Sequence, residues 1–172
     1  MSQSTRVDIG DNTAADDQAE LLLWKRSMGQ FASGVTVITT VDAQGNPLGT
    51  TASAFSSLSL RPRLLLVCLD HNSRTLAAIR QHGSFAVNVL TADAAELAFV
   101  FGRKGDQQFV GIPHNWGALG CPLLEQVCTR IECHIEAIHE GGDHSILVGR
   151  PERVQVMDEA IPLVYHGGQF IS

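Results

Sequence analysis

Aromatic residues make up only 6% of this 172-residue chain, and tyrosine occurs once, at Tyr165. Charged residues are also sparse, at 17%. No apolar run approaches the roughly 18 residues that a membrane-spanning helix needs. The acids outnumber the bases, for a net charge of -6, which argues against general nucleic-acid binding because that requires a basic face. The four cysteines, Cys68, Cys121, Cys128 and Cys133, include no pair at Cys-x-x-Cys spacing. They read as reduced thiols used as small apolar residues rather than as a zinc site. No Gly-x-Gly-x-x-Gly follows a strand, and there is no Gly-x-x-x-x-Gly-Lys-Ser/Thr, His-Glu-x-x-His or Gly-x-Ser-x-Gly. A Rossmann dinucleotide site, a P-loop, a zincin and a serine-hydrolase elbow therefore all lack support. The N-terminus, MSQSTRVDIGDNTAADDQAE, has neither the apolar core of a signal peptide nor the basic character of a transit peptide, so the expected location is cytoplasmic.

With 44% apolar residues, the chain has the length and composition of one globular domain. Residues 1–15 are polar and read as a disordered tail, leaving one domain over residues 16–172. Leu21, Trp24, Met28 and Phe31 recur at three- and four-residue steps, which predicts a helix that Gly29 and Gly34 bring to an end. Strand signals follow. VTVITTV (residues 35–41) is β-branched and DAQGNP (residues 42–47) is a turn. RLLLVCLD is apolar throughout, so both of its faces should be covered. Asn72 or Ser73 can cap a short helix that Gly83 ends. FAVNVL (residues 85–90) is another strand. Asp93 with Glu96 has the form of a capping box opening a second helix with Leu97 and Phe101. Residues 102–122 carry loop punctuation.

TRIECHIEAI (residues 129–138) alternates, with Ile131, Cys133, Ile135 and Ala137 on one face and Arg130, Glu132, His134 and Glu136 on the other. A hairpin turn is expected at Gly141-Gly142, and PLVYHGGQF supplies a closing strand and a Gly-Gly turn. Six or seven strands with short connections and few helices favour a mainly β fold, a barrel or sandwich.

Six of the ten residues from Thr50 to Ser59 carry hydroxyls, between strongly apolar runs. One strand later, Asn72-Ser73-Arg74-Thr75 combines short donors and a guanidinium at a predicted helix start, either an ordinary N-cap or a phosphate site. His139 and His144 flank a turn and would sit almost opposite each other. They are open to three readings: solvated hairpin residues, metal ligands lacking a third partner, or, for His144, a ligand-facing group. Tyr165, beside His166-Gly167-Gly168, either stacks on a planar ligand or packs in the core.

These pieces occur together and in order. MGQFASGVTVITT, TASAFSSLSLRP, Asn-Ser-Arg-Thr, GSFAVNVL, Phe101-Gly102 with Lys104 and Asp106, GGDH and PLVYHGGQF resemble the short-chain flavin reductases, the FMN-binding split-barrel family, over about residues 24–170. The resemblance implies a split β-barrel of Greek-key type and an NAD(P)H:flavin oxidoreductase that passes hydride from NADH or NADPH to FMN or FAD. It also implies delivery of the reduced flavin to a partner monooxygenase, and a homodimer. It places the flavin against Thr51, Ala52, Ser53, Ala54, Phe55, Ser56 and Ser57, and the phosphate end against Asn72, Ser73, Arg74 and Thr75, with Phe101 and Gly102 approaching from the loop. It assigns His144, Tyr165, His166 and Gly167 to the nicotinamide side, His144 as the catalytic candidate, and no metal. Two departures from the family pattern stand out: Arg61-Pro62-Arg63 where Arg-Pro-Pro is common, and Gln107-Gln108-Phe109 where Lys-Phe follows the aspartate. The second removes a basic residue near the cofactor mouth. The alternative function is a non-catalytic flavin-binding carrier or sensor.

Overall fold

The structure is a computed structural model, and it describes residues 14–105 and 107–171. Residues 1–13 of the tail expected over residues 1–15 lie outside the described residues, as do Asp106 and Ser172; Ala14 and Ala15, expected in that tail, begin the first helix instead. Helix α1 (Ala14–Met28) leads into β1 (Ser33–Gly34), β2 (Thr36–Val41), β3 (Pro47–Ala52), β4 (Phe55–Leu60) and β5 (Arg63–Asp70). Then come α2 (Arg74–His82), β6 (Ser84–Leu90), α3 (Ala95–Gly102), β7 (His114–Trp116), β8 (Pro122–Leu124), β9 (Val127–Gly141), β10 (His144–Val156), β11 (Val164–His166) and β12 (Gln169–Ile171). No helix among the described residues is long and apolar enough to cross a membrane.

Seven strands form one antiparallel sheet in the order β3-β2-β6-β9-β10-β5-β4. Its two edges, β3 and β4, are consecutive in the chain and joined only by Ser53 and Ala54. A two-residue link spans about 7 Å per peptide pair, so the edges are drawn together and the sheet curls into a barrel. No ladder joins β3 to β4, so the barrel is split there. The Ala54 carbonyl instead accepts from the Cys68 amide of β5, 2.9 Å away.

One core fills the barrel with Ile38, Leu65, Val67, Phe85, Val87, Cys133 and Leu147, plugged by Leu76 and Ile79 of α2. A second core lies outside β2 and β6, where Val35, Val37 and Leu90 meet Leu97 and Phe101 of α3 and Leu124 of β8. With both faces covered, all six residues of β2 are buried, threonines included. Each hydroxyl has an acceptor: Thr36 donates to the Ala52 carbonyl, Thr39 to Pro122 and Thr40 to Ser84. Asn88, fully buried, donates to the Val37 carbonyl and the Thr39 hydroxyl and accepts from the Leu124 amide at 2.9 Å. It fastens the β7–β8 hairpin to the barrel, since a buried amide is stable only when its valences are filled.

Several expectations need correction. The loop over residues 102–122 contains β7, paired with β8. α3 has no capping box: its N-cap is Ala94, and the Asp93 carboxylate accepts from the Thr91 hydroxyl instead. In the β9–β10 hairpin Gly141 is still strand, paired with His144, and the turn is Gly142-Asp143. Gly142 has φ +76°, the conformation a type II′ turn places first. His139 pairs with Ile146, so the two histidines are diagonal rather than opposite. The β9 alternation fails after Ile135, because a bulge between Val148 and Gly149 shifts the register and brings Ile138 to the core side with Ile135. Glu132 is buried rather than solvated: residues 117–121 cover it, and its carboxylate accepts from the Leu119 amide at 2.8 Å. The chain closes with two strands, β11 and β12, joined by Gly167 and Gly168. These have φ of +59° and +86°, as a type I′ turn requires. β5 has only one covered face: Leu65, Val67 and Leu69 are buried, while Leu66 and Cys68 look into a cavity.

Candidate active site

The split between β3 and β4 opens onto two cavities. The first, about 460 Å³, lies over the start of α2. Ser73 caps that helix, its hydroxyl accepting from the Leu76 amide at 3.3 Å. The first turn of any helix leaves amides without an intrahelical acceptor, and its dipole favours an anion there. Asn72, Ser73, Arg74 and Thr75 all line this cavity, with Thr50 across from them on β3. Its charged groups are Asp70 against three cations, Arg74, Arg103 and Lys104. The Arg74 guanidinium donates to the Gly105 carbonyl, tying α2 to the segment after α3. Gln108 closes the same segment, its amide donating to the Arg103 carbonyl at 2.8 Å. Although the family's base at 107–108 is missing, Arg103 lines this cavity beside Lys104 of the shared motif.

Phe101 and Gly102 also line the first cavity. The Phe101 ring is buried, edge-on to Phe109 at 4.9 Å. It fixes the residue opposite: a Cβ on Gly49 would lie 2.8 Å from Phe101 Cδ1, so only glycine allows β3 this close to α3.

The second cavity, about 1140 Å³, surrounds the Ser53-Ala54 link. Ser53, Ala54, Phe55 and Ser56 line one side, Leu66 and Cys68 of β5 the floor, and Tyr165 and Gly167 the far wall. The end of α1, with Trp24, Met28 and Phe31, forms the remainder. The lining is mainly apolar, with a few hydroxyl and backbone groups at the link, as a planar heteroaromatic ring demands. The two cavities adjoin. Cys68 borders one and Asp70 the other, two residues or about 6.6 Å apart along β5.

The structure does not bring every expected residue together. The Thr51 hydroxyl donates to the Ala98 carbonyl at 2.8 Å, and Ala52 is packed in the barrel core. Ser57 is exposed on β4 and borders neither cavity. His166 alternates away from Tyr165 and lines neither cavity, nor does His144. The His144 ring donates from Nδ1 to the Asp143 carboxylate at 2.7 Å, and this bond holds the Asp143 carboxyl below its ordinary value. His144 pairs across the ladder with Asp70, which places it beside the first cavity's end of β5 rather than beside Tyr165. Residues missed by sequence reasoning include Thr50, Asp70, Arg103 and Lys104 in the first cavity and Leu66, Cys68, Trp24, Met28 and Phe31 in the second. Period-two alternation in RLLLVCLD carried a signal for Leu66 and Cys68, and the Phe101-Gly102 motif carried one for Lys104; nothing local marked Arg103.

This geometry agrees with known proteins. The model of the flavin reductase like domain matches residues 28–172. The chain is 37% identical over 161 residues to the reductase subunit HsaB of a flavin-dependent monooxygenase from Rhodococcus jostii, covering 94% of this chain and 82% of that one. Among solved structures it is similar to nitrilotriacetate monooxygenase component B from Mycobacterium thermoresistibile, with a TM-score of 0.86, 33% identity, and 90% and 87% of the two chains covered. It is also similar to the NADH:FAD oxidoreductase SgcE6 of Streptomyces globisporus, solved with NAD and FAD fragments, with a TM-score of 0.84, 30% identity, and 95% and 96% covered. A seven-stranded barrel split at a hydroxyl-rich link, with a ring-sized cavity on one side and a cation-lined helix start on the other, and a family match over all but the first 27 residues, place the chain in the flavin reductase like domain family.

Proposed function

We propose that this protein is a flavin reductase that takes hydride from NADH and supplies reduced flavin, FMN or FAD, to a partner monooxygenase. The observation that carries this reading is the adjacency of the two cavities: one suits a ring, the next a phosphate, and about 6.6 Å of strand separates their borders, the reach of a ribityl chain. The donor set fits the cofactor. Thr75 and Ser73 hydroxyls, the first turn of α2, and the Arg74 guanidinium hold the phosphate. Ser53 and Ser56, with the backbone of the link, offer hydrogen bonds to the polar edge of the ring. Fixed dipoles of this kind favour the negative charge that reduction brings, without a dedicated acid. Phe55, Leu66 and Cys68 shield the ring from water, while Tyr165 and Gly167 face the nicotinamide side. When bound, the flavin supplies the hydride-accepting centre, and the protein's part is alignment. His144, paired with Asp70, would act from the smaller cavity's end of β5 rather than from the nicotinamide side, and His166 borders neither cavity.

The working unit is a homodimer. Leu21, Trp24, Met28 and Phe31 leave an apolar face on and after α1 exposed, Phe31 to 80%, and a second copy would cover it. A sedimentation experiment at micromolar concentration should give a dimer; a fully active monomer would remove this part of the proposal.

The function is tested by NADH oxidation with and without added flavin. Turnover that requires flavin supports the reductase. Tight flavin binding with no NADH consumption would support a carrier or sensor module instead.

A further inference from the structure

The geometry points to Lys25 and Arg26 as the site for the diphosphate of the nicotinamide nucleotide, an inference that rests on the reductase reading. Among the described residues they are the only charged ones lining the larger cavity, and both are cationic in a chain of net charge -6. Neither has an ion-pair partner among the described residues. Both are exposed and sit in the last turn of α1, beside Trp24, and the Gly29 carbonyl that follows accepts from the Gly167 amide at 2.8 Å, which sets this helix end against the turn after Tyr165.

The phosphate of the flavin already has a destination, because the smaller cavity carries the helix start and three other cations. A nucleotide that stacks its nicotinamide in the larger cavity must still place a diphosphate, and an acidic surface repels it at long range. Two adjacent cations at the mouth of that cavity answer this need. Their position at a helix C-terminus also suits the helix dipole, so the test must separate nucleotide binding from helix stabilisation.

The probe pair is NADH and a phosphate-free hydride donor, 1-benzyl-1,4-dihydronicotinamide. Lys25→Ala and Arg26→Ala should each lower the ratio of kcat/KM for NADH to that for the phosphate-free donor by about 3- to 10-fold, and the double variant by about 10- to 50-fold, at low ionic strength. Lys25→Glu should lower the ratio further, and added salt should shrink every difference. The dissociation constant for flavin should stay within about twofold of the wild type. A ratio unchanged in the double variant overturns the inference, as does an equal loss with both donors or a loss confined to flavin affinity. A lowered melting temperature with an unchanged ratio assigns the pair to helix stabilisation and overturns it too. If the wild type oxidises neither donor, the reductase reading itself fails, a distinct outcome.

Discussion

Thr75→Val isolates the phosphate end of the site. Thr75 lies in the first turn of α2, is only 4% exposed, and borders the smaller cavity. Valine keeps the β-branched shape, so the packing of Leu76 and Ile79 into the barrel is preserved and the lost element is one hydroxyl. A hydrogen bond to a charged partner contributes about 1.5–3 kcal/mol, and burial keeps solvent from replacing it. At 1.4 kcal/mol per decade, FMN affinity should fall about 10- to 100-fold. Riboflavin carries the same ring without a phosphate and should change less than about twofold. Arg74→Ala should act in the same direction but toward the lower end, because Arg74 is exposed and already spends a donor on the Gly105 carbonyl. Quenching of flavin fluorescence gives both affinities. Equal losses for FMN and riboflavin would refute the reasoning and reduce the segment to a structural cap.

Further outcomes follow from other parts of the molecule. His144→Ala should raise KM for NADH or slow flavin reduction while leaving flavin affinity nearly intact; unchanged steady-state and single-turnover rates would make His144 an ordinary hairpin residue. Asn88→Ala strands the Leu124 amide and removes two donors, so the unfolding free energy from urea titration should drop by about 2–4 kcal/mol; a loss below about 0.5 kcal/mol would contradict the network. Gly49→Ala should destabilise by about 1–3 kcal/mol through the Phe101 ring, and Phe101→Leu in the same chain should recover part of it. Burial pushes the Cys121 and Cys133 thiols up to about 12 from an ordinary 9.0. The folded state therefore keeps protons that the unfolded state releases above pH 9.0, and stability should fall as pH rises through that window, by about 1.4 kcal/mol per pH unit per thiol. Replacing either cysteine by alanine should flatten the slope of urea stability against pH.

Much of the fold was legible because its signals are local. The turn at residues 42–47 rests on Asp42 accepting from the Gln44 and Asn46 amides, and the α2 cap rests on Ser73 and Gly83; each is written within a few residues. Barrel closure was legible only through resemblance, since the two-residue link matters only once β3 and β4 are known to be opposite edges of one sheet. Where sequence reading failed, a distant element overrode a local pattern. Glu132 looks solvated in the β9 alternation until residues 117–121 fold over it. The register shift between Val148 and Gly149, which leaves Glu136 without a ladder partner, comes from pairing with β10, not from β9 itself. Asp93 has the spacing of a cap but is taken by Thr91. In the site, the donors of α2 and the link were readable as chemistry, whereas Arg103 and the end of α1 become site residues only through the meeting of loops far apart in sequence.

The central claim is that this protein moves hydride from NADH to flavin held at the barrel split. Anaerobic mixing of the protein, equimolar flavin and NADH, followed by the visible absorbance of oxidised flavin, tests it in one turnover. The account predicts bleaching in step with NADH loss, stoichiometric between the two and faster by orders of magnitude than without protein. Flavin that binds and stays oxidised, with NADH unconsumed, would contradict it.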